Sequence, residues 1–242
     1  MSLYNNWIIK LGCFKDLASY LKLNFIEKKS ANEEFQDSSA RGFLVHCKLT
    51  FNNKELVNFI NNQSIFRELS EIGYYFRNKI DIIRWKSSEN TRGAHFYHHD
   101  GLDGQLSLMM LLSNNYSSSK MYFANKSNKG LLIKYYNFFY VRQYKYKLID
   151  FMFKKFFRVF QSFYNYLVNK NYMITKIEGD AGDIYLFNAG DYLHKAENIF
   201  GSTRDILHIN LTKDSNKVIE KHKINLNEYS DPVRKMFEHI NI

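Results

Sequence analysis

Proline is nearly absent. Average usage of about 5% would place about 12 in a chain of this size, and there is one, Pro232, among 242 residues. Together with the excess of Lys, Asn, Ile, Phe and Tyr, this reads as AT-rich coding bias, so composition carries reduced weight. Cysteine is also scarce. Cys13 and Cys47 are too few for a disulfide framework, and a reduced, cytoplasmic setting is the expectation. No run of about 18 or more uncharged apolar residues occurs, so no membrane-spanning helix is expected. The opening MSLYNNWIIKLGCFKDLASYL lacks the charged, apolar, then small order of a secretory signal. Acidic residues are the minority charge: 24 Asp and Glu against 34 Lys and Arg leave a net +10. The lysines are scattered rather than blocked. Such a charge permits attraction to nucleic acid, anionic lipid or a phosphorylated metabolite without choosing among them.

What is present fits a globular chain, 45% hydrophobic and 24% charged, outside the disordered class. No Pro/Gly/Ser-rich linker and no internal repeat divides it, so residues 1–242 read as a single domain. Its expected parts are a helical N-terminal region to about residue 90, a β core at about 91–130 and 173–215, and a helical insertion at about 131–172. Residues 14–37 read as a helix followed by a polar loop, and 42–51 as a short strand. Leu56, Phe59, Ile60, Phe66, Leu69, Ile72, Tyr75 and Phe76 are spaced for two helices with one face on a core. From Gly93 to Leu112 the pattern turns strand-like, with LSLMMLL after a Gly-Leu-Asp-Gly turn. The last third returns to strands at MITKIEGDAGDIYLFNAG and RDILHINLT. The whole is an α+β chain with a β core.

Residues 131–172 are crowded with aromatic and basic side chains. Ile149, Phe153, Phe156, Phe160, Phe163 and Leu167 recur every three or four positions, which predicts a helix. Such a stripe is ordinarily core packing, though a basic, Phe-rich helix also suits peripheral contact with a membrane surface. As an insertion it would either cover a site or pack outside the core.

Eight histidines are present, and the informative group is Ala94-His95-Phe96-Tyr97-His98-His99-Asp100-Gly101. On a strand, side chains two apart point the same way, so His98 and Asp100 can meet one metal. Two ligands are not enough. The third candidate is His194, 96 residues on, delivered by the apolar run IYLF and a Gly-containing turn. Two histidines and one carboxylate are the ligand set of iron(II) oxygenases, which leave one octahedral face open. Arg204 opens the next strand, ten residues after His194. An antiparallel return is expected to bring it behind the metal, where its planar fork grips the far carboxylate of a chelating keto-acid such as 2-oxoglutarate. His95, His99 and His208 read as structural or as neighbours of the ligands, and Asp180, Asp183 and Asp191 as turn residues.

H-x-D, an apolar strand, a long gap, G-D-x-x-x-F…H and then Arg resembles the phytanoyl-CoA dioxygenase-like branch of Fe(II)/2-oxoglutarate-dependent oxygenases. The likeness covers mainly residues 93–127 and 177–212. It implies a double-stranded β-helix (jelly-roll, cupin-like) core with flanking helices. It also implies iron on His98, Asp100 and His194, with Arg204 holding the co-substrate 2-oxoglutarate. The segment Met121–Lys129 stands where the family has a strand ending in Pro-Gly-Ser-His, but lacks the proline, glycine and histidine. No role is carried onto it. Because Asp100 fills the third protein position, hydroxylation is expected rather than halogenation.

The leading reading is therefore an oxygenase taking dioxygen and a small-molecule substrate, anionic in keeping with the basic chain, from natural-product, sugar or lipid biosynthesis. Nucleic-acid demethylation uses the same centre, but His208 and Asp214 stand where that branch needs two arginines, so no nucleic-acid partner is expected. A non-enzymatic cupin-like module could bind zinc through the same three ligands, but has no use for Arg204. Oligomeric state is not read from the sequence.

Overall fold

The structure, a computed structural model, describes residues 8–28, 43–49, 51–77, 80–86, 97–100, 104–116, 120–127, 159, 162–197, 199, 201–214 and 225–240. Ten strands are named within them: β1 (Ile8–Cys13), β2 (Phe43–Leu49), β3 (Tyr75–Phe76), β4 (Ile80–Lys86), β5 (Leu106–Leu111), β6 (Met121–Ser127), β7 (Ile174–Ile177), β8 (Asp183–Asn188), β9 (Tyr192–Ala196) and β10 (Thr203–Thr212). The larger sheet runs β1-β8-β5-β10-β4-β2, with β3 also on β10, and the smaller runs β7-β6-β9. All strand pairings are antiparallel. Consecutive strands β5 and β6, and again β9 and β10, lie in different sheets, so the chain crosses between the two layers.

Strand β10 explains the layering. Its side chains alternate faces: Leu207, Ile209 and Leu211 enter one apolar cluster and Ile206 another. The first cluster gathers Ile80, Ile82, Leu108, Met110, Ile184 and Leu186 from the larger sheet against helices. Those helices are Lys15–Leu21, Lys54–Asn62, Ser64–Glu71 and Asp231–Arg234. Asn53 caps the second, its Oδ1 accepting from Leu56 N at 3.2 Å, and the chain's single proline sits in the first turn of the last. The second cluster lies between the sheets: Ile83, Trp85, Met109, Leu111, Tyr185 and Phe187 from the larger meet Met121, Phe123, Ile177 and Ala196 from the smaller.

Two expectations change. Tyr75 and Phe76 do not extend a helix; they form β3 and pair with Leu211 and Thr212. The helix stops at Glu71, and Gly73 at φ +80° turns the chain, a conformation side chains with a Cβ rarely adopt. The stretch to residue 90 also carries β1, β2, β3 and β4, all in the larger sheet, so it is not simply helical.

Of the expected insertion, Ile149, Phe153, Phe156 and Phe160 lie outside the described residues. Residues 162–171 are helical, and there Tyr164 and Val168 pack with Tyr97, Ala124 and Leu193 on the outer face of the smaller sheet. Phe163, placed by periodicity on the buried stripe, is 59% exposed: the buried face is rotated by one residue. Among the described residues no helix is long and apolar enough to cross a membrane.

Candidate metal centre

The turn between β8 and β9 fixes the first ligand element. Asn188 and Asp191 close it with two hydrogen bonds, Asp191 N to Asn188 Oδ1 at 2.9 Å and Asn188 Nδ2 to Asp191 Oδ2 at 2.8 Å. Strand β9 then presents His194 inward, 5% exposed. The His98 segment lies alongside as a further edge: each of His98 and His194 donates its backbone N–H to the other's carbonyl, at 2.9 and 3.0 Å. Pairing of this kind puts the two imidazoles side by side, with ring centroids 4.5 Å apart. Asp100 N donates to Ala189 O at 2.9 Å, tying the second ligand element to the same turn.

His98, Asp100 and His194 thus converge, with one ligand atom from each, all within 4.8 Å of one another. Asp100 Oδ1 lies 3.3 Å from His194 Nε2 and 3.8 Å from His98 Nε2. Burial alone would raise the Asp100 carboxyl, but the neighbouring His194, His98 and His208 outweigh it and hold it well below the usual carboxylate range. His194 Nδ1 sits 3.2 Å from Tyr192 O, which places its proton there and leaves Nε2 facing Asp100. Phe123 stacks on the His194 ring at 5.7 Å and Phe187 flanks it at 5.8 Å. Phe123 comes from the segment onto which no role was carried, so that strand lines the site after all.

Arg204 reaches the site by a different route from the one expected. Strands β9 and β10 do not pair; β10 has crossed to the larger sheet, and Arg204 faces the space between the sheets from the opposite wall. It is 6% exposed, its Cζ 5.2 Å from the Trp85 ring centroid. Its neighbour Asp205 points the other way, where Arg84 grips it at 2.7 and 2.8 Å. Arg204 Nε and Nη1 are therefore buried without a hydrogen-bond acceptor among the described residues, and burial pushes its pKa down to about 10. A buried guanidinium with idle donors is costly, and a carboxylate is the group that would satisfy it.

Sequence reasoning missed Gln105, Ser107 and Asn210. Gln105 Nε2 donates to Asp100 Oδ2 at 3.3 Å and Asn210 Oδ1 at 3.1 Å, and Ser107 Oγ donates to Asn210 Oδ1 at 2.9 Å. The only hint was position, Gln105 following Asp100 by one turn. His208 and His99 lie outside the converging ligand set, and His95 lies outside the described residues. Asp180, Asp183 and Asp191 hold turns: Asp180 N donates to Asp183 Oδ2 at 3.1 Å, and Gly104 N to Asp191 Oδ1 at 3.2 Å.

No family model matches the chain, and no curated protein does either. Solved structures do match its fold. EctD from S. alaskensis, solved with 2-oxoglutarate and 5-hydroxyectoine, aligns at TM-score 0.53 and 13% identity over 88% of this chain and 74% of that one. SnoN, a non-haem α-ketoglutarate-dependent epimerase from nogalamycin biosynthesis, aligns at TM-score 0.50 and 12% identity over 87% and 79%. A prolyl-4-hydroxylase from Pseudomonas putida aligns at TM-score 0.51 and 11% identity over 88% and 95%. EctD's bound 2-oxoglutarate, SnoN's α-ketoglutarate dependence and the third protein's hydroxylase activity belong to the chemistry that the motif's resemblance implies. EctD is also solved with bound iron and SnoN with iron and α-ketoglutarate. At these identities the likeness is one of fold.

Proposed function

We propose that the chain is a non-haem Fe(II)/2-oxoglutarate-dependent dioxygenase that hydroxylates a C–H bond of a small metabolite in natural-product, sugar or lipid biosynthesis. One observation carries the reading: a buried guanidinium without an acceptor among the described residues, Arg204, shares the inter-sheet space with a converging His-Asp-His group. The donor set fits iron, two imidazoles and an ionised carboxylate, and Arg204 fits the distal carboxylate of 2-oxoglutarate. Strand order supports a double-stranded β-helix core: β8-β5-β10-β4 in one sheet face β7-β6-β9 and the His98 bridge in the other.

His98, Asp100 and His194 would hold the iron, and Arg204 the co-substrate. When bound, iron supplies activation of dioxygen coupled to oxidative decarboxylation of 2-oxoglutarate to succinate and carbon dioxide. The chain's own residues prepare for this. Gln105 occupies Asp100 Oδ2 and leaves Oδ1 toward the histidines. Tyr192 O keeps the His194 proton on Nδ1. Phe123 and Phe187 pack against His194 and Trp85 against Arg204, which would limit water at these groups.

Anaerobic addition of Fe(II) and then 2-oxoglutarate to the apo-protein tests the reading. A visible charge-transfer band on the second addition, followed by succinate release in air, is the expected result. Iron uptake with no response to 2-oxoglutarate would favour a metal-binding module and overturn the oxygenase. Turnover stimulated by methylated oligonucleotides alone would shift the substrate to nucleic acid.

A further inference from the structure

Arg77 is a second cation with an idle donor, at the other end of β10 from Arg204. Its backbone N–H donates to Asn210 O at 2.9 Å, which seats it beside β10 just after β3. Its Nη1 donates to Gln105 Oε1 at 2.8 Å, while Nε is buried with no acceptor among the described residues. None of the ion pairs among the described residues involves Arg77. Asn210 lies beside it, 8% exposed. Its Oδ1 already accepts from both Gln105 and Ser107, and its amide N–H groups donate to nothing among the described residues.

Donors without acceptors, on one cation and one amide, make an oxyanion site. We propose that Arg77 and Asn210 bind an anionic group of the substrate, a carboxylate or a phosphate monoester, beside the metal centre. The identity of that ligand as substrate rests on the oxygenase reading. Position separates this site from the Arg204 clamp: Asn210 is six residues along β10 on the same face, about 20 Å at strand rise. Proximity to the chemistry comes through Gln105, which touches Arg77 on one side and Asp100 on the other. The side chains of His98 and Asp100 keep 24% and 25% of their surface accessible, so the centre is reachable by a ligand. Burial pushes the Arg77 guanidinium down while the Asp100 charge pulls it back, the balance of a cation near one carboxylate but not neutralised by it.

The test is calorimetric titration of the full chain, in the presence of saturating 2-oxoglutarate, with hexanoate, hexyl phosphate and hexanamide. The expected result is saturable binding of at least one oxyanion and none of the neutral amide, and the tighter of the two names the anion class. Arg77→Gln, which can still donate to Gln105, is expected to weaken that binding at least about tenfold, with Arg77→Lys between. Equal binding by wild type and Arg77→Gln, equal binding of hexanamide, or no binding of either oxyanion overturns the site. Iron and 2-oxoglutarate binding, measured on the same samples, report separately on the oxygenase reading: their loss in wild type sinks that reading, whereas the anion titration alone decides Arg77.

Discussion

At Arg204 stability and the proposed function pull apart. A guanidinium 6% exposed, with two nitrogens that find no acceptor among the described residues, costs stability in the free protein, because the Trp85 ring offsets its desolvation only in part. Replacing it with an apolar side chain of similar length removes that cost. Arg204→Met is therefore expected to raise the melting temperature of the apo-protein while weakening 2-oxoglutarate on the order of 100-fold, the loss of a charge-assisted bidentate pair. A lower apo melting temperature with unchanged 2-oxoglutarate affinity would assign Arg204 to packing on Trp85. The three ligand residues should behave differently. His98→Ala, Asp100→Ala and His194→Ala are each expected to lose stoichiometric iron and keep the far-ultraviolet spectrum, since apolar burial holds the sheets together. Iron analysis after gel filtration decides; three variants that all keep iron remove the ligand set. The convergence of His98, Asp100 and His194 was legible from spacing and residue type, whereas the route that brings Arg204 to the same space was not, since β9 and β10 lie in different sheets. Arg77, Gln105 and Asn210 were not legible, because single polar residues beside a turn or within a strand look like solvent-facing ones until β3, β5 and β10 pair.

Elements differ in legibility for a related reason. Strands β8 to β10 stand out because apolar runs end at Gly, Asp and Asn turns. Strand β4, Ile80-Asp81-Ile82-Ile83-Arg84-Trp85-Lys86, buries side chains on both faces, Ile80 and Ile82 toward the helices and Ile83 and Trp85 between the sheets. Burial on both faces erases the alternation that marks a strand. Strand β3 is two residues long and happens to continue the spacing of the helix before it. The helix at 162–171 was legible as a helix but not in orientation: Phe163 had the larger apolar side chain, yet Tyr164 and Val168 face the sheet. Its contacts bear on the role of the insertion. At this end it packs outside the smaller sheet, so Val168→Ala, at a site 1% exposed, is expected to cost about 2 kcal/mol in urea unfolding with 2-oxoglutarate affinity unchanged. A change in 2-oxoglutarate affinity with no loss of stability would instead tie this helix to the site. Lys154, Lys155 and Arg158, basic residues of the same insertion, lie outside the described residues.

In the whole molecule the groups proposed to hold metal and co-substrate are divided between two layers. His98 and His194 belong to the smaller sheet and Arg204 to the larger, and an apolar cluster drawn from both sheets lies between them. Metal and keto-acid together would therefore be held from both layers, and whatever binds only the folded state stabilises it by mass action. At 100 times its dissociation constant a ligand adds about 2.7 kcal/mol, or on the order of 5–10 °C in melting temperature for a chain of this size. Under nitrogen, Fe(II) is expected to raise the melting temperature of the wild type, 2-oxoglutarate to raise it again, and a chelator to reverse both. In Arg204→Ala the first increment is expected to stay and the second to vanish, because the guanidinium is the larger sheet's share of the grip. Differential scanning fluorimetry of the four states of each protein measures this directly. Equal 2-oxoglutarate increments in wild type and Arg204→Ala would show that the co-substrate is held by the metal-bearing layer alone, and the two-layer clamp would be abandoned.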